Sequence, residues 1–134
     1  MAAEDNLATI RGIYEAFGTG DVDAIVATVA EDVDWAVDAE PVGPWYGQRQ
    51  GRDGVASFFA DIADATEVLD FAVEGMGASD NEVFAFLRFA VRMKSTGREA
   101  SFHLHHYFRF GPDGKIDYYR GSEDSAQVAK ALAS

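Results

Sequence analysis

Apolar residues recur every three or four positions near the N-terminus and every second position from Val68 onward, so the pattern reads as helices followed by sheet. Leu7, Ile10, Ile13, Tyr14 and Phe17 form one stripe and predict an amphipathic helix over roughly Glu4 to Phe17, with acidic residues in its first turn. Gly18-Thr19-Gly20 ends it. Asp21 then caps a short second helix with Val22, Ile25, Val26 and Val29 on one side, closed by Ala30-Glu31-Asp32. Val33 to Asp38 alternates as a first strand, placing Val33, Trp35 and Val37 on one face and Asp34, Ala36 and Asp38 on the other.

Ala39 to Gln50 carries two of the three prolines and the pair Trp45-Tyr46, a loop that reads either as a lid over a cavity or as a plug at the end of the core. Gly51-Arg52-Asp53-Gly54-Val55 opens a third helix with Val55, Phe58, Phe59 and Ile62 facing in. Val68 to Met76 alternates, with Leu69, Phe71 and Val73 opposed to Asp70, Ala72 and Glu74. Val83 to Lys94 is apolar on both faces at first, as in an interior strand, and its Arg88 and Arg92 read as outward and solvated. Ala100 to Gly121 is a hairpin turned by Gly111-Pro112-Asp113-Gly114. Its first arm holds all three histidines; Phe102, Leu104, His106, Phe108 and Phe110 share one face, and His103, His105, Tyr107 and Arg109 the other. A short C-terminal helix comes last, capped from within Ser122 to Ser125. Helix, helix, strand, helix and then antiparallel strands is the order of an α+β fold, a curved sheet wrapped around three helices with a hydrophobic cone between them.

At 134 residues the chain is one domain, and its 48% hydrophobic and 13% aromatic content predicts a packed globule. Charge changes the picture of partners: 23 acidic against 11 basic side chains give a net charge of -12, which repels nucleic acid and anionic lipid. There is no cysteine, so disulfides and thiolate chemistry are excluded. The first residues have no signal-peptide pattern and no run approaches the length of a membrane span, which together predict a soluble cytoplasmic protein.

Tyr14-Glu15-Ala16-Phe17 before Gly20-Asp21, Trp35, Gly51-Arg52-Asp53-Gly54-Val55, His106-Tyr107-Phe108 with Asp113-Gly114-Lys115-Ile116, and Arg120 before Asp124 succeed one another in an order that resembles the nuclear transport factor two-like superfamily, in its SnoaL-like and ketosteroid-isomerase-like branch. The resemblance spans nearly the whole chain and implies a cystatin-like α+β barrel. The isomerases use an aspartate base on the first strand, a tyrosine on the first helix and a protonated acid on a later strand. In this sequence those places fall on Val37, Ile13 and His106, with Asp38 and Tyr14 each one residue away, so the isomerase trio is not intact. The superfamily also contains polyketide cyclases, epoxide hydrolases and dehydratases, and the Asp-Arg-Asp set of the hydrolases is not assembled here.

His106 is the polar exception in an apolar row, either a core histidine bonded to backbone or a group projecting into the cone. With His106, Asp38 and Tyr14 as catalytic candidates and Trp35, Trp45, Tyr46, Phe59 and Phe108 as substrate-binding candidates, the leading expectation is a proton-transfer enzyme, an isomerase or polyketide-cyclase-like protein, acting on a small apolar carbonyl compound without a cofactor. The alternative is a non-catalytic binding or dimerisation module. His103 and His105 are spaced to share a metal ion but lack a third ligand, so no metal is expected. The outer face, read as Tyr107, Tyr119, His103 and His105, is aromatic enough to predict a homodimer through the sheet.

Overall fold

The structure is a computed structural model in which residues 2–133 are described. Its elements are α1 (Ala2–Thr19), α2 (Val22–Val26), β1 (Val29–Val37), β2 (Gly47–Gln50), α3 (Gly51–Ala65), β3 (Thr66–Ala78), β4 (Glu82–Met93), β5 (Glu99–Phe110), β6 (Ile116–Glu123) and α4 (Ser125–Leu132). The strands form one sheet in the order β2-β1-β6-β5-β4-β3. The sheet is curved, unclosed and mixed: β1 lies parallel to β6 while the other pairings are antiparallel. The helix–sheet division and the short C-terminal helix are as the periodicity predicts.

The α1 stripe buries Ile10, Ile13 and Tyr14 against the concave face of the sheet. Asp21 caps α2 through its side chain, accepting from the Ala24 N–H at 3.2 Å, but the helix is only five residues long and Val29 already belongs to β1. The first strand therefore starts four residues earlier than its alternation suggests, because an irregularity between Val29 and Asp34 hides the period. The Pro-rich segment also yields a strand, the four-residue β2, paired with β1. At the start of α3 the backbone of Gly51 has φ +73°, and a Cβ there would lie 2.9 Å from the Glu31 carbonyl oxygen, so glycine is required twice over.

β4 keeps closely to its pattern: Val83, Leu87, Phe89, Val91 and Met93 are buried, whereas Phe84 and Phe86 are 50% and 40% exposed on the convex face. Arg88 and Arg92 also face out, pairing with Asp70 at 3.0 Å, Glu67 at 3.3 Å and Glu99 at 3.0 Å. β3 departs from its pattern. Bulges that leave Leu69 and Glu74 unopposed break its alternation; Phe71 and Met76 pack against the core, whereas Val68, Leu69 and Val73 are 43%, 39% and 43% exposed. No helix among the described residues is long and apolar enough to cross a membrane.

A bulge in β6 matters more for the site. Arg109 opposes Tyr118 and Phe110 opposes Ile116, which leaves Asp117 as an extra residue in β6. The insertion reverses the parity of the strand beyond it: Ile116, Tyr119, Gly121 and Glu123 face in, and Tyr118 and Arg120 face out. Tyr119 is 3% exposed and belongs to the core, correcting its assignment to the outer face. On that outer face, His103 stacks on Phe86 at 4.5 Å and bonds Glu74 at 2.9 Å, and among the described residues no three His, Cys, Asp or Glu side chains converge to hold a metal.

Candidate functional site

Between α1, α3 and the concave sheet lies a narrow, partly enclosed cavity. Apart from Tyr14, Tyr119, His106 and Glu123, and the indole N–H groups of Trp35 and Trp45, the lining is hydrocarbon. β1 contributes Trp35 and Val37, α3 contributes Phe58 and Phe59, and β5 contributes Leu104, His106 and Phe108. The rings interlock: Trp35 stacks on Tyr119 at 4.0 Å and meets Phe58, Phe59 and Phe108 edge-on at 5.7, 6.0 and 6.3 Å. The indole N–H of Trp35 is buried among these rings without a hydrogen-bond partner among the described residues.

Tyr14 and His106 meet inside. The Tyr14 hydroxyl lies 2.8 Å from His106 Nδ1, across the space between α1 and β5. Both Ile13 and Tyr14 line the cavity, so the one-residue offset from the resembled pattern still brings the phenol in. His106 makes no hydrogen bond to backbone among the described residues; its ring lines the cavity while packed against Tyr14, Phe108 and Tyr119. Burial, and then the neighbouring His105, lower its pKa to about 3, which makes it a neutral imidazole at physiological pH. Burial likewise raises the Tyr14 hydroxyl far above its usual range.

A neutral imidazole carries one N–H and the phenol one O–H, and only one of these two protons lies in the bond between them. If Tyr14 donates to Nδ1, the imidazole keeps its proton on Nε2; if Nδ1–H donates, the phenol O–H is free. In both tautomers the pair retains one uncommitted donor, never a positive charge.

Asp38 is not part of this site. β1 ends at Val37 with the alternation intact, so Val37 faces the cavity and Asp38 is exposed, its own N–H bonded to the Gly121 carbonyl. The irregularity of β1 lies upstream of Asp34, and nothing turns Asp38 inward.

The carboxylate of the cavity comes instead from Glu123, the last residue of β6, which the sequence pattern assigns to the approach of the C-terminal helix. Its Oε2 accepts the Tyr46 hydroxyl at 2.7 Å and the Trp45 indole N–H at 3.4 Å, leaving Oε1 without a protein donor among the described residues. Desolvation raises the Glu123 pKa; the bonds from Tyr46 and Trp45 lower it and offset part of the rise. Trp45 lines the cavity, and Tyr46 supports it from behind by holding Glu123. Both rings are nearly fully buried, so the loop closes one end of the core and joins the site at the same time. Arg49 fixes it there, donating to the carbonyls of Pro44 at 2.9 Å and Tyr46 at 3.4 Å while paired with Asp61 of α3 at 2.8 Å. Leu104 opposes Glu123 in the β5·β6 ladder, which makes Glu123 and His106 diagonal neighbours on one face. The signal for Glu123 in the sequence is the inward row Tyr119, Gly121, Glu123, visible only once the bulge at Asp117 is known.

A curved, open α+β sheet enclosing an aromatic cavity with a few inward polar groups defines the architectural class of this protein. The chain belongs to the SnoaL-like domain family, which matches residues 10–119. A nuclear transport factor two-like protein from Burkholderia xenovorans shares 22% identity and a TM-score of 0.86 over 99% of each chain. A candidate polyketide cyclase from Xanthomonas campestris shares 21% identity and a TM-score of 0.79, over 99% of this chain and 100% of its own. The protein TerC, crystallised with polyporic acid, shares 20% identity and a TM-score of 0.83, over 97% and 99%. At these identities the likeness is one of fold. No curated protein matches the sequence.

Proposed function

We propose that the protein is a cofactor-independent proton-transfer enzyme acting on a small apolar carbonyl compound, as an isomerase or cyclase. The observation that carries this reading is the presence, on one inner face, of a carboxylate with a free oxygen beside an uncharged hydrogen-bonding pair, in an otherwise hydrocarbon cavity. Glu123 Oε1 removes a proton from carbon next to the substrate carbonyl. The C–H electrons form a carbon–carbon double bond and the carbonyl electrons move onto oxygen, where the uncommitted proton of the Tyr14–His106 pair meets the developing charge. The protonated Glu123 then returns the proton to the same carbon or to a conjugated one. A base of raised pKa and a neutral donor suit this division, since neither group needs to change charge before substrate binds. The structure of TerC co-crystallised with polyporic acid supports a ring compound bearing oxygen as the ligand.

The test is deuterium wash-in from heavy water at the α-carbons of cyclohexanone, 2-cyclohexenone and 1-tetralone, read by proton NMR. Saturable exchange above the buffer rate is expected for at least one ketone. A protein that leaves all three at the buffer rate is a binding module instead.

Tyr46 gives the reading a pH signature. Its hydroxyl stabilises the ionised form of Glu123, so Tyr46→Phe raises the Glu123 pKa further. The acid limb of the exchange rate against pH then moves to higher pH in the variant. A limb that stays in place shows that another group titrates in the reaction.

A further inference from the structure

One inward polar group has no part in this proton transfer. Tyr119 stacks its ring on Trp35 at 4.0 Å and contacts Phe108 at 4.9 Å and His106 at 5.4 Å, so its position is fixed from three sides. The residue is 3% exposed and lines the cavity, yet its hydroxyl makes no hydrogen bond among the described residues. Unlike the fully buried indole N–H of Trp35, the hydroxyl keeps some access to the cavity, where a ligand can meet it. Where the phenol lies is recorded by Gly121. A Cβ built on that glycine would collide with the Tyr119 hydroxyl and stand 2.9 Å from Cζ, so the tip of the side chain runs along β6 over Gly121, toward Glu123. Gly121 has no left-handed backbone; a side chain there would displace the Tyr119 hydroxyl. Tyr14 and Glu123 are near enough that their charges add to the effect of burial in raising the Tyr119 pKa, keeping the group a protonated donor.

We propose that Tyr119 is a ligand-binding residue, its hydroxyl donating a hydrogen bond to an oxygen of the ligand that carries negative charge, an enolate or phenolate oxygen, with Gly121 as the residue that gives the phenol room to reach it. The inference rests on the proposed function for the nature of that oxygen. It adds a donor to the Tyr14–His106 pair and narrows the ligand to a ring compound bearing an acidic oxygen. The companion sequence feature is Tyr119-x-Gly121-x-Glu123: a phenol, a gap that admits it, and the base, all on one face of one strand.

The experiment measures binding and needs no turnover. Dissociation constants are determined for 4-nitrophenol and for nitrobenzene, which has the same ring without the oxygen, on the wild-type protein and on Tyr119→Phe, above the pKa of the nitrophenol. The wild-type protein is expected to favour 4-nitrophenolate by at least tenfold, and Tyr119→Phe to weaken it by about tenfold or more, the range for a hydrogen bond to a charged group, while nitrobenzene changes less than about twofold. Melting curves establish that the variant is folded. Equal affinity of the wild-type protein for both probes, including no measurable binding of either, overturns the inference. So does a Tyr119→Phe variant that binds both as before, or that loses both alike, since the ring would then serve only as packing. Deuterium exchange keeps the two readings apart: selective loss of nitrophenolate without any exchange activity retains Tyr119 as a ligand donor and removes the enzyme, and exchange that persists without that selectivity does the reverse.

Discussion

Glu123→Gln lowers the rate of α-proton exchange about a thousandfold and leaves the affinity for a neutral ring compound within about threefold, the range expected for loss of a general base without loss of shape. The amide preserves the local geometry. Its carbonyl oxygen accepts the Tyr46 hydroxyl and the Trp45 indole N–H as the carboxylate Oε2 does, so the loop that carries those rings has no reason to leave. What the variant lacks is a site for the abstracted proton. The same substitution has a stability consequence of opposite sense. Because the Glu123 pKa is raised on folding, ionisation costs the folded state more than the unfolded chain. That cost is fully present above the folded pKa and vanishes below the unfolded one. Glu123→Gln removes it, so the variant melts higher than the wild-type protein at pH 8, and the gain shrinks as pH falls toward the ordinary carboxylate range. A variant that exchanges protons as fast as the wild-type protein removes Glu123 as the base, and one that melts lower at pH 8 removes the ionisation cost assigned to it.

The elements of this fold are set by periodicity wherever a single period holds for eight or more residues. α1, α3, β4 and β5 are of that kind, and most of their buried positions fall on the apolar stripe or row in each, Asn6 and Ala16 of α1 being buried beside it. His106 is identifiable for the same reason, a titratable group inside a long, regular row. What stays hidden is set by bulges, which shift parity without leaving a mark in composition. One extra residue at Asp117 moves Tyr119 from the outer face to the cavity and aims Glu123 inward, and neither position is apparent from counting in steps of two. Asp38 illustrates the converse: it becomes a candidate only if a bulge is supposed, and β1 has none at that end. The hydrogen bond between Tyr14 and His106 joins residues 92 apart in sequence, and pairing of this kind is fixed by how α1 lies across the sheet, which no local pattern encodes. The parallel contact of β1 with β6 is hidden likewise, because the two strands are far apart along the chain.

The cavity wall and the hydrophobic core are the same set of rings, and Phe108→Ala is where this becomes measurable. Phe108 is 1% exposed and lies within 4.9 to 6.5 Å, centroid to centroid, of Tyr119, His106, Trp35 and Tyr14. Truncating a buried phenylalanine removes its transfer free energy and leaves a void that the neighbours fill only in part, a loss of about 3–5 kcal/mol. Against a total stability on the order of 5–15 kcal/mol that is a large share, and for a domain of this size it corresponds to a fall in melting temperature of about 10–20 °C. Phe84→Ala is the matched control: its ring is 50% exposed on the convex face, and its removal changes stability by no more than about 0.5 kcal/mol. The void in Phe108→Ala opens onto space already lined by hydrocarbon, so a saturating apolar ring such as toluene binds the folded state and recovers part of the lost melting temperature in the variant. Rescue in Phe108→Ala but not in Phe84→Ala is the expected pattern, read by thermal melting with and without toluene. Equal melting temperatures for the two variants instead mean that the ring of Phe108 is dispensable to the core, and that the aromatic wall shaping the cavity is not what holds the fold together.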